Sequence, residues 1–436
     1  MNAIKEARAC MKALNETQRR LGRRLRCLRR LSKPLVLEDG INRLPDDVLA
    51  IIFEMTRHFN GDGQYQFAVG VSHVSRRFRT VALATPSLWT IIRDSYGENQ
   101  IREFISRSGR LALDIKMPRN SRIESFLKVV KDTSHRWSSF EIIDDSTEYI
   151  MMELGITDLP RLRHLTYICE VELSTFNMPR LSQVEGWGWL LPAGSWFPSQ
   201  LTRVEFHLSE DDDVIEGLAK TLHSMQNLQD LSLKLLHFTG TEFVPSDRAA
   251  YPNPHSVHID RLAISILGEM PGYSELLSDA IMHLLPSTVE LSINSIRPEM
   301  LLFNSEGKLL FPCDTTIKLQ TPQPIDVMRT LADLLRNCDS IKTVHFDTPM
   351  AKGPLEWRHR QLDHNDWERI RSLYHLRFMN CDEFTEPEIE ALTTKLLSSE
   401  AENGVQSLEV ILCKLISEDF LLGIHDEVGD RLKWTL

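Results

Sequence analysis

Histidines, carboxylates and thiols are the side chains best able to hold a metal or move a proton. This chain of 436 residues spaces them in few suggestive ways. His255-x-x-His258 has the separation of a metal-binding pair, but it stands in a Pro-rich stretch leading into a strand-like run. His359 and His364, near Asp363 and Asp366, invite the same thought, and both sets read as incidental. The run Glu210-Asp211-Asp212-Asp213 lacks the alternating ligands and glycine of a calcium loop. It reads instead as the solvated N-terminal flank of a helix over 215–225, where negative charge suits the helix dipole. Seven cysteines lie at 10, 27, 169, 313, 338, 381 and 413, with no C-x-x-C pair, so a zinc knuckle or a thioredoxin-type site is not expected. An odd, scattered set without a secretory signal fits a reducing compartment, cytoplasm or nucleus. P-loop, G-x-S-x-G, G-x-G-x-x-G and H-E-x-x-H motifs are missing from the sequence. The expectation is a protein that is not an enzyme, with no catalytic residue, cofactor or metal.

The elements that carry these residues point to two or three domains. Apolar residues make up 42% and charged residues 25%, ordinary values for a globular protein. No apolar run approaches the roughly 18–20 residues that span a bilayer, so no membrane partner is expected. The net charge is -11, yet residues 1–33 hold eleven Lys/Arg against two Glu. That segment carries about +9 and leaves about -20 for the rest. An acidic body argues against nucleic acid as a partner, since phosphate contact needs a basic surface. Residues 3–31 read as one helix with Leu14, Leu21, Leu25 and Leu28 on a narrow stripe and arginines opposite. A short coiled coil, an import or nucleic-acid patch, an amphipathic targeting segment and a solvated lead-in helix all fit residues 1–35.

Beyond about residue 105 a short pattern recurs. LRHLTY (162–167), LSQVEG (181–186), LTRVEF (201–206) and LQDLSL (228–233) lead to IDRLAI (259–264) and TVELSI (288–293). DTTIKL (314–319), IKTVHF (341–346), LYHLRF (373–378) and LEVILC (408–413) follow, with RLALDI (110–115) and RWSSFEI (136–142) as degenerate earlier rungs. Helical spacing of apolar residues marks the segments between, such as 215–225, 274–285, 325–335, 386–397 and 417–424. One strand–helix unit cannot bury its own apolar face, whereas stacked units share a continuous core. The fold class expected is mixed α/β, an irregular solenoid over 105–436 with parallel strands inside and helices outside. The units resemble leucine-rich repeats, LYHLRFMNC (373–381) best of all, with Cys381 where that family places Asn or Cys.

Residues 41–92 show helical apolar periodicity in two parts, divided by Gly61-Asp62-Gly63. INRLPDDVLAIIF (41–53) and VSHVSRRFRTVALATPSLW (71–89) together resemble the F-box. The matching residues are Leu44-Pro45, Asp46-Asp47, Val48-Leu49, Ile52-Phe53, Val74 to Phe78 and Pro86 to Trp89; Ser75 and Phe78 stand where Cys and Trp are frequent. ISRSGRLALDI (105–115) and HRWSSFEI (135–142) extend the resemblance to fungal F-box families. The resemblance implies a substrate-recruiting subunit of an SCF-type ubiquitin ligase, whose F-box docks a Skp-type adaptor and through it a cullin. Leu44, Pro45, Val48, Leu49, Ile52, Phe53, Val71, Val74, Phe78 and Trp89 would meet the adaptor. This docking needs Val48, Ile52 and Phe53 to be open rather than sealed inside the chain. The alternative is a non-catalytic repeat scaffold with a degenerate F-box.

Two aromatic-rich insertions, 186–197 and 355–367, have the composition of interface hot spots. Trp357, Arg358, Arg360 and Trp367 are candidate contacts to an unidentified client, while Trp187, Trp189, Trp196 and Phe197 fit better as the cover of a repeat edge. A lead-in helix or coiled coil predicts that deleting residues 1–33 leaves localisation unchanged. An import signal predicts loss from the nucleus, and imaging of a fluorescent fusion separates the two.

Overall fold

Strict alternation of apolar and polar residues buries one face of a strand and leaves the other to polar contacts. The computed structural model shows that alternation organising most of the chain. It describes residues 43–59, 67–117, 123–191, 197–209, 212–236, 256–270, 273–304, 306–352, 362–397 and 405–435, with 17, 20, 21, 23–25, 27, 28 and 41. The chain divides into two units, Met1–Ile92 with Arg102–Leu111, and Arg93–Ile101 with Ala112–Leu436. The two units thus interleave along the chain between residues 92 and 112.

The first unit is helical: α1 (Asp46–Phe59), α2 (Phe67–Ser72), α3 (Arg76–Leu83), a 3-10 turn (Pro86–Trp89) and the latter part of α4 (Glu98–Arg107). Asp46 and Asp47 occupy the first turn of α1, complementing its dipole, and Ser75 caps α3 by accepting from the Phe78 amide at 3.1 Å. Arg77 holds the start of α1, donating to Asp46 at 2.8 Å and to the Ile41 carbonyl at 3.0 Å. Of the basic lead-in, the described residues between Thr17 and Leu28 are helical, and Leu21, Leu25 and Leu28 are exposed.

A 14-stranded sheet has a spatial order that follows the chain, and all of it but Ile91 and Ile92 belongs to the second unit. Its strands are β1 (Ile91–Arg93), β2 (Leu113–Lys116), β3 (Trp137–Ile142), β4 (His164–Tyr167), β5 (Gln183–Trp187), β6 (Arg203–Ser209) and β7 (Asp230–Leu236). They continue with β8 (Val257–Leu267), β9 (Leu284–Asn294), β10 (Thr316–Gln320), β12 (Thr343–Asp347), β14 (His375–Met379), β15 (Ser407–Ile411) and β16 (Leu432–Thr435). A separate parallel pair joins β11 (Ile325–Asp326) to β13 (Ala351–Lys352). Helices α5 (Ile123–Val130), α6 (Ser146–Glu153), α7 (Asp212–His223), α8 (Tyr273–Ile281), α9 (Glu299–Leu302), α10 (Val327–Asn337), α11 (His364–Arg371), α12 (Glu386–Leu397) and α13 (Glu418–Val428) fill the connections. Neighbouring helices pack on one another, α5 on α6, α7 on α8, α10 on α11 and α12 on α13.

In-register parallel pairing carries like residues across many strands. Val204, Leu231, Leu262, Val289, Ile317 and Val344 form one buried row, and Phe206, Leu233, Ile264, Leu291, Leu319 and Phe346 the next. Two rungs are framed differently from the sequence pattern. Val289 rather than Leu291 pairs with Ile317, and Leu408 rather than Ile411 pairs with Leu376. In both cases several apolar residues crowd one run, and only the pairing with the adjacent strand selects among them. Gly186 belongs to the inner set because a Cβ there would lie 2.5 Å from the Tyr167 hydroxyl, which donates to the Trp189 carbonyl.

His223, near the end of α7, meets His283, just before β9, edge to face at 4.6 Å between ring centres. Burial pushes both below the ordinary imidazole range, and His283, 3% exposed and next to His223, falls to about 4. A folded-state value below the unfolded one contributes stability above pH ~6.5 that is lost as pH falls toward the folded value. The urea midpoint should therefore drop between pH 6.5 and about 4, and His283→Gln should make that drop shallower.

Candidate functional site

Helix α1 presents two apolar faces. Leu49 and Phe53, one turn apart, are 2% and 4% exposed, and Phe53 packs against Phe78 with ring centres 5.1 Å apart. Val81, Ala82, Leu88 and Trp89 complete that interior. The Trp89 indole donates to the Ala82 carbonyl at 2.8 Å, meets the Phe104 ring at 4.9 Å and lies under the Arg107 guanidinium at 4.5 Å. On the other face Val48 is half-buried, while Ile51, Ile52 and Met55 are 53%, 41% and 56% exposed. These four follow the i, i+3, i+4, i+7 spacing of a single helix stripe. Val74, between α2 and α3, is 65% exposed.

This arrangement corrects part of the expected docking set. Leu49, Phe53 and Trp89 are interior residues, because a module of this size needs them to close its own core. Of the three residues whose openness docking requires, Ile52 is open, Val48 half-open and Phe53 sealed. Leu44, Val71 and Phe78 are half-buried, and Pro45 is exposed. Ile51 and Met55 were missed, although their helical spacing from Val48 is legible in the sequence.

The candidate ligand clusters fare differently. His255, His359, Trp357, Arg358 and Arg360 lie outside the described residues, as do Glu210 and Asp211. Asp363 and Asp366 form a capping box on α11, and Asp366, 1% exposed, receives both forks of Arg336 from α10 at 2.8 and 2.6 Å. Asp363 thus starts α11, and Asp366 also ties α11 to α10. Trp367 is half-buried, with the Lys395 ammonium 4.4 Å over its ring. Phe197 is fully buried, whereas Trp187 and Trp189 are exposed.

The polar face of the sheet gathers side chains from many strands. At one end, Trp187 lies flat on His207 at 3.7 Å, and its indole donates to Glu185 at 2.9 Å. Glu185, Glu205 and His207 bring three possible ligand atoms within 4.8 Å of one another. The Lys234 ammonium already supplies a cation there, 2.5 Å from Glu205 and 3.4 Å from His207. Burial and that ammonium hold His207 below its ordinary pKa, against the pull of Glu205 and Glu185. Arg261 bridges Asp230 and Glu290, and Lys318 reaches Glu290 at 2.7 Å. Burial opposes ionisation of Glu290, but its two cations outweigh it and keep the carboxyl below its usual range. A hollow of about 490 Å³ opens over this region, lined among others by Lys234, Arg261, Lys318, His345 and Arg377. The sequence repeats show which strand positions face this way, but not that their charges interleave.

No family model and no curated protein matches the chain. Among the described residues, no helix is long and apolar enough to cross a membrane.

The two faces of α1 should separate in unfolding experiments. Phe53→Ala removes a buried aromatic and should cost about 3–5 kcal/mol, whereas Ile52→Ala should stay within about 0.5 kcal/mol. Urea titration of the two variants measures the difference.

Proposed function

We propose that this chain recruits a client protein to an SCF-type ubiquitin ligase. In this reading residues 41–92 act as an F-box that docks a Skp-type adaptor, and the sheet-bearing unit acts as a leucine-rich-repeat-like client platform. The observation that carries the reading is the second apolar face of α1. Val48, Ile51, Ile52 and Met55 remain outside a core already filled by Leu49 and Phe53. A short helical module with a filled interior and a separate greasy stripe suits helix-on-helix docking, apolar at the centre and polar at the rim.

The motif residues give the stripe its setting. Pro45 immediately precedes α1, and its carbonyl accepts from the Leu49 amide at 3.1 Å. Arg77 ties α3 back to Asp46 and the Ile41 carbonyl, so the VSRRF segment and the LPDDV segment form one body. The work follows from tethering. One polypeptide binds both adaptor and client, which raises the client's effective concentration at the ubiquitin carrier. The chain supplies no bond-breaking group in this scheme.

Co-purification with a Skp-type adaptor tests the reading. Leu44→Ala with Pro45→Ala should abolish capture, and so should Ile52→Asp with Met55→Asp, while the helical circular dichroism signal is retained. Adaptor capture unchanged by both pairs overturns it and leaves a repeat scaffold with a degenerate box.

A further inference from the structure

Registered pairing of β9, β10, β12, β14 and β15 sets Glu290, Lys318, His345, Arg377 and Glu409 in one line across the polar face. The two ends of the line are paired. Lys318 lies 2.7 Å from Glu290, which Arg261 on β8 also holds, and Arg377 lies 2.6 Å from Glu409. His345 stands in the middle, half-buried, and its imidazole makes no hydrogen bond to a described residue. Burial holds it at about 4, assisted by Arg377 and Lys318 and by His375, with Glu409 pulling the other way. At neutral pH the line therefore reads negative, positive, neutral, positive, negative. Asp347, the remaining carboxylate on β12, is engaged by Asn380 at 2.8 Å and Gln320 at 3.3 Å. Four members of the line, Glu290, Lys318, His345 and Arg377, line the hollow of about 490 Å³.

The spacing selects a conformation for what could lie there. Adjacent strands stand about 4.8 Å apart, so His345 is about 9.6 Å from Glu290 on one side and from Glu409 on the other. A polyproline II peptide repeats its facing every three residues and advances about 3.1 Å per residue, or about 9.3 Å per repeat. A peptide in β conformation would turn its third residue away from the face. We infer that this line reads a client segment of the form basic-x-x-anionic-x-x-basic in polyproline II conformation. The central phosphate or carboxylate lies between Lys318 and Arg377 and accepts from His345, and the flanking basic residues meet Glu290 and Glu409. This deepens, and rests on, the reading of the sheet as the client platform.

Fluorescence anisotropy on the full-length protein tests it, with labelled peptides Arg-Pro-Ala-X-Ala-Pro-Arg in which X is phosphoserine, Glu or Ala. Replacing the central anion by Ala should weaken binding about tenfold or more, the equivalent of about 1.4 kcal/mol. A preference for phosphoserine over Glu identifies a phosphorylated client, and equal binding identifies an acidic one. Moving each Arg one position inward should weaken binding about fivefold, since it then faces away from its carboxylate. Lys318→Gln and Arg377→Gln should each remove the preference for the anion while circular dichroism stays unchanged. Equal affinity for the Ala peptide, no binding by any peptide, or an anion preference that survives both substitutions overturns the inference. Adaptor co-purification by the same preparations reads the F-box separately. Failure here with capture intact removes this specificity alone.

Discussion

Parallel strands held in strict register place every side chain about 4.8 Å from its counterpart on the next strand. On the buried face this stacks Val204, Leu231, Leu262 and their successors into continuous rows, and no single strand–helix unit could enclose them alone. On the other face the same spacing brings Glu185 beside Glu205, where the Lys234 ammonium offsets the like charges. Elsewhere opposite charges meet. Arg261 stands between Asp230 and Glu290, Lys318 beside Glu290, and Arg377 beside Glu409. The register that unites the core thus also decides which charges meet on the exposed side.

The helical unit solves a different problem. A module of some fifty residues encloses little apolar surface, and α1 divides its apolar residues between two duties. Leu49 and Phe53 face inward with Phe78 and Trp89, and Ile51, Ile52 and Met55 face out. Adjacent residues such as Ile52 and Phe53 lie about 100° apart around a helix of 3.6 residues per turn. One can therefore be interior while its neighbour is open.

Much of the architecture is legible in the sequence because it rests on short-range periodicity. The runs at 162–167, 201–206 and 228–233 become β4, β6 and β7, and the segment 386–397 becomes α12 with the bounds expected. Where several apolar residues crowd one run, as at Val289 and Leu291, the frame depends on the adjacent strand. The same limit governs the candidate site. Helical periodicity identifies α1 as apolar, but which of its residues face inward depends on packing against Phe78, distant in sequence. The interleaved charges are invisible for a further reason. Asp230, Arg261 and Glu290 are about thirty residues apart along the chain and become neighbours only through pairing.

Arg261 has a bearing on how such a chain can change in length. If one strand were lost, the buried rows would tolerate the missing member, since Leu231 would meet Val289 in place of Leu262. The outer face would not. Excising the β8 segment would bring β7 beside β9 and leave Asp230 and Glu290 without the guanidinium that both share. Loss of that single unit would thus strip the outer face of a shared cation while the buried rows simply closed up.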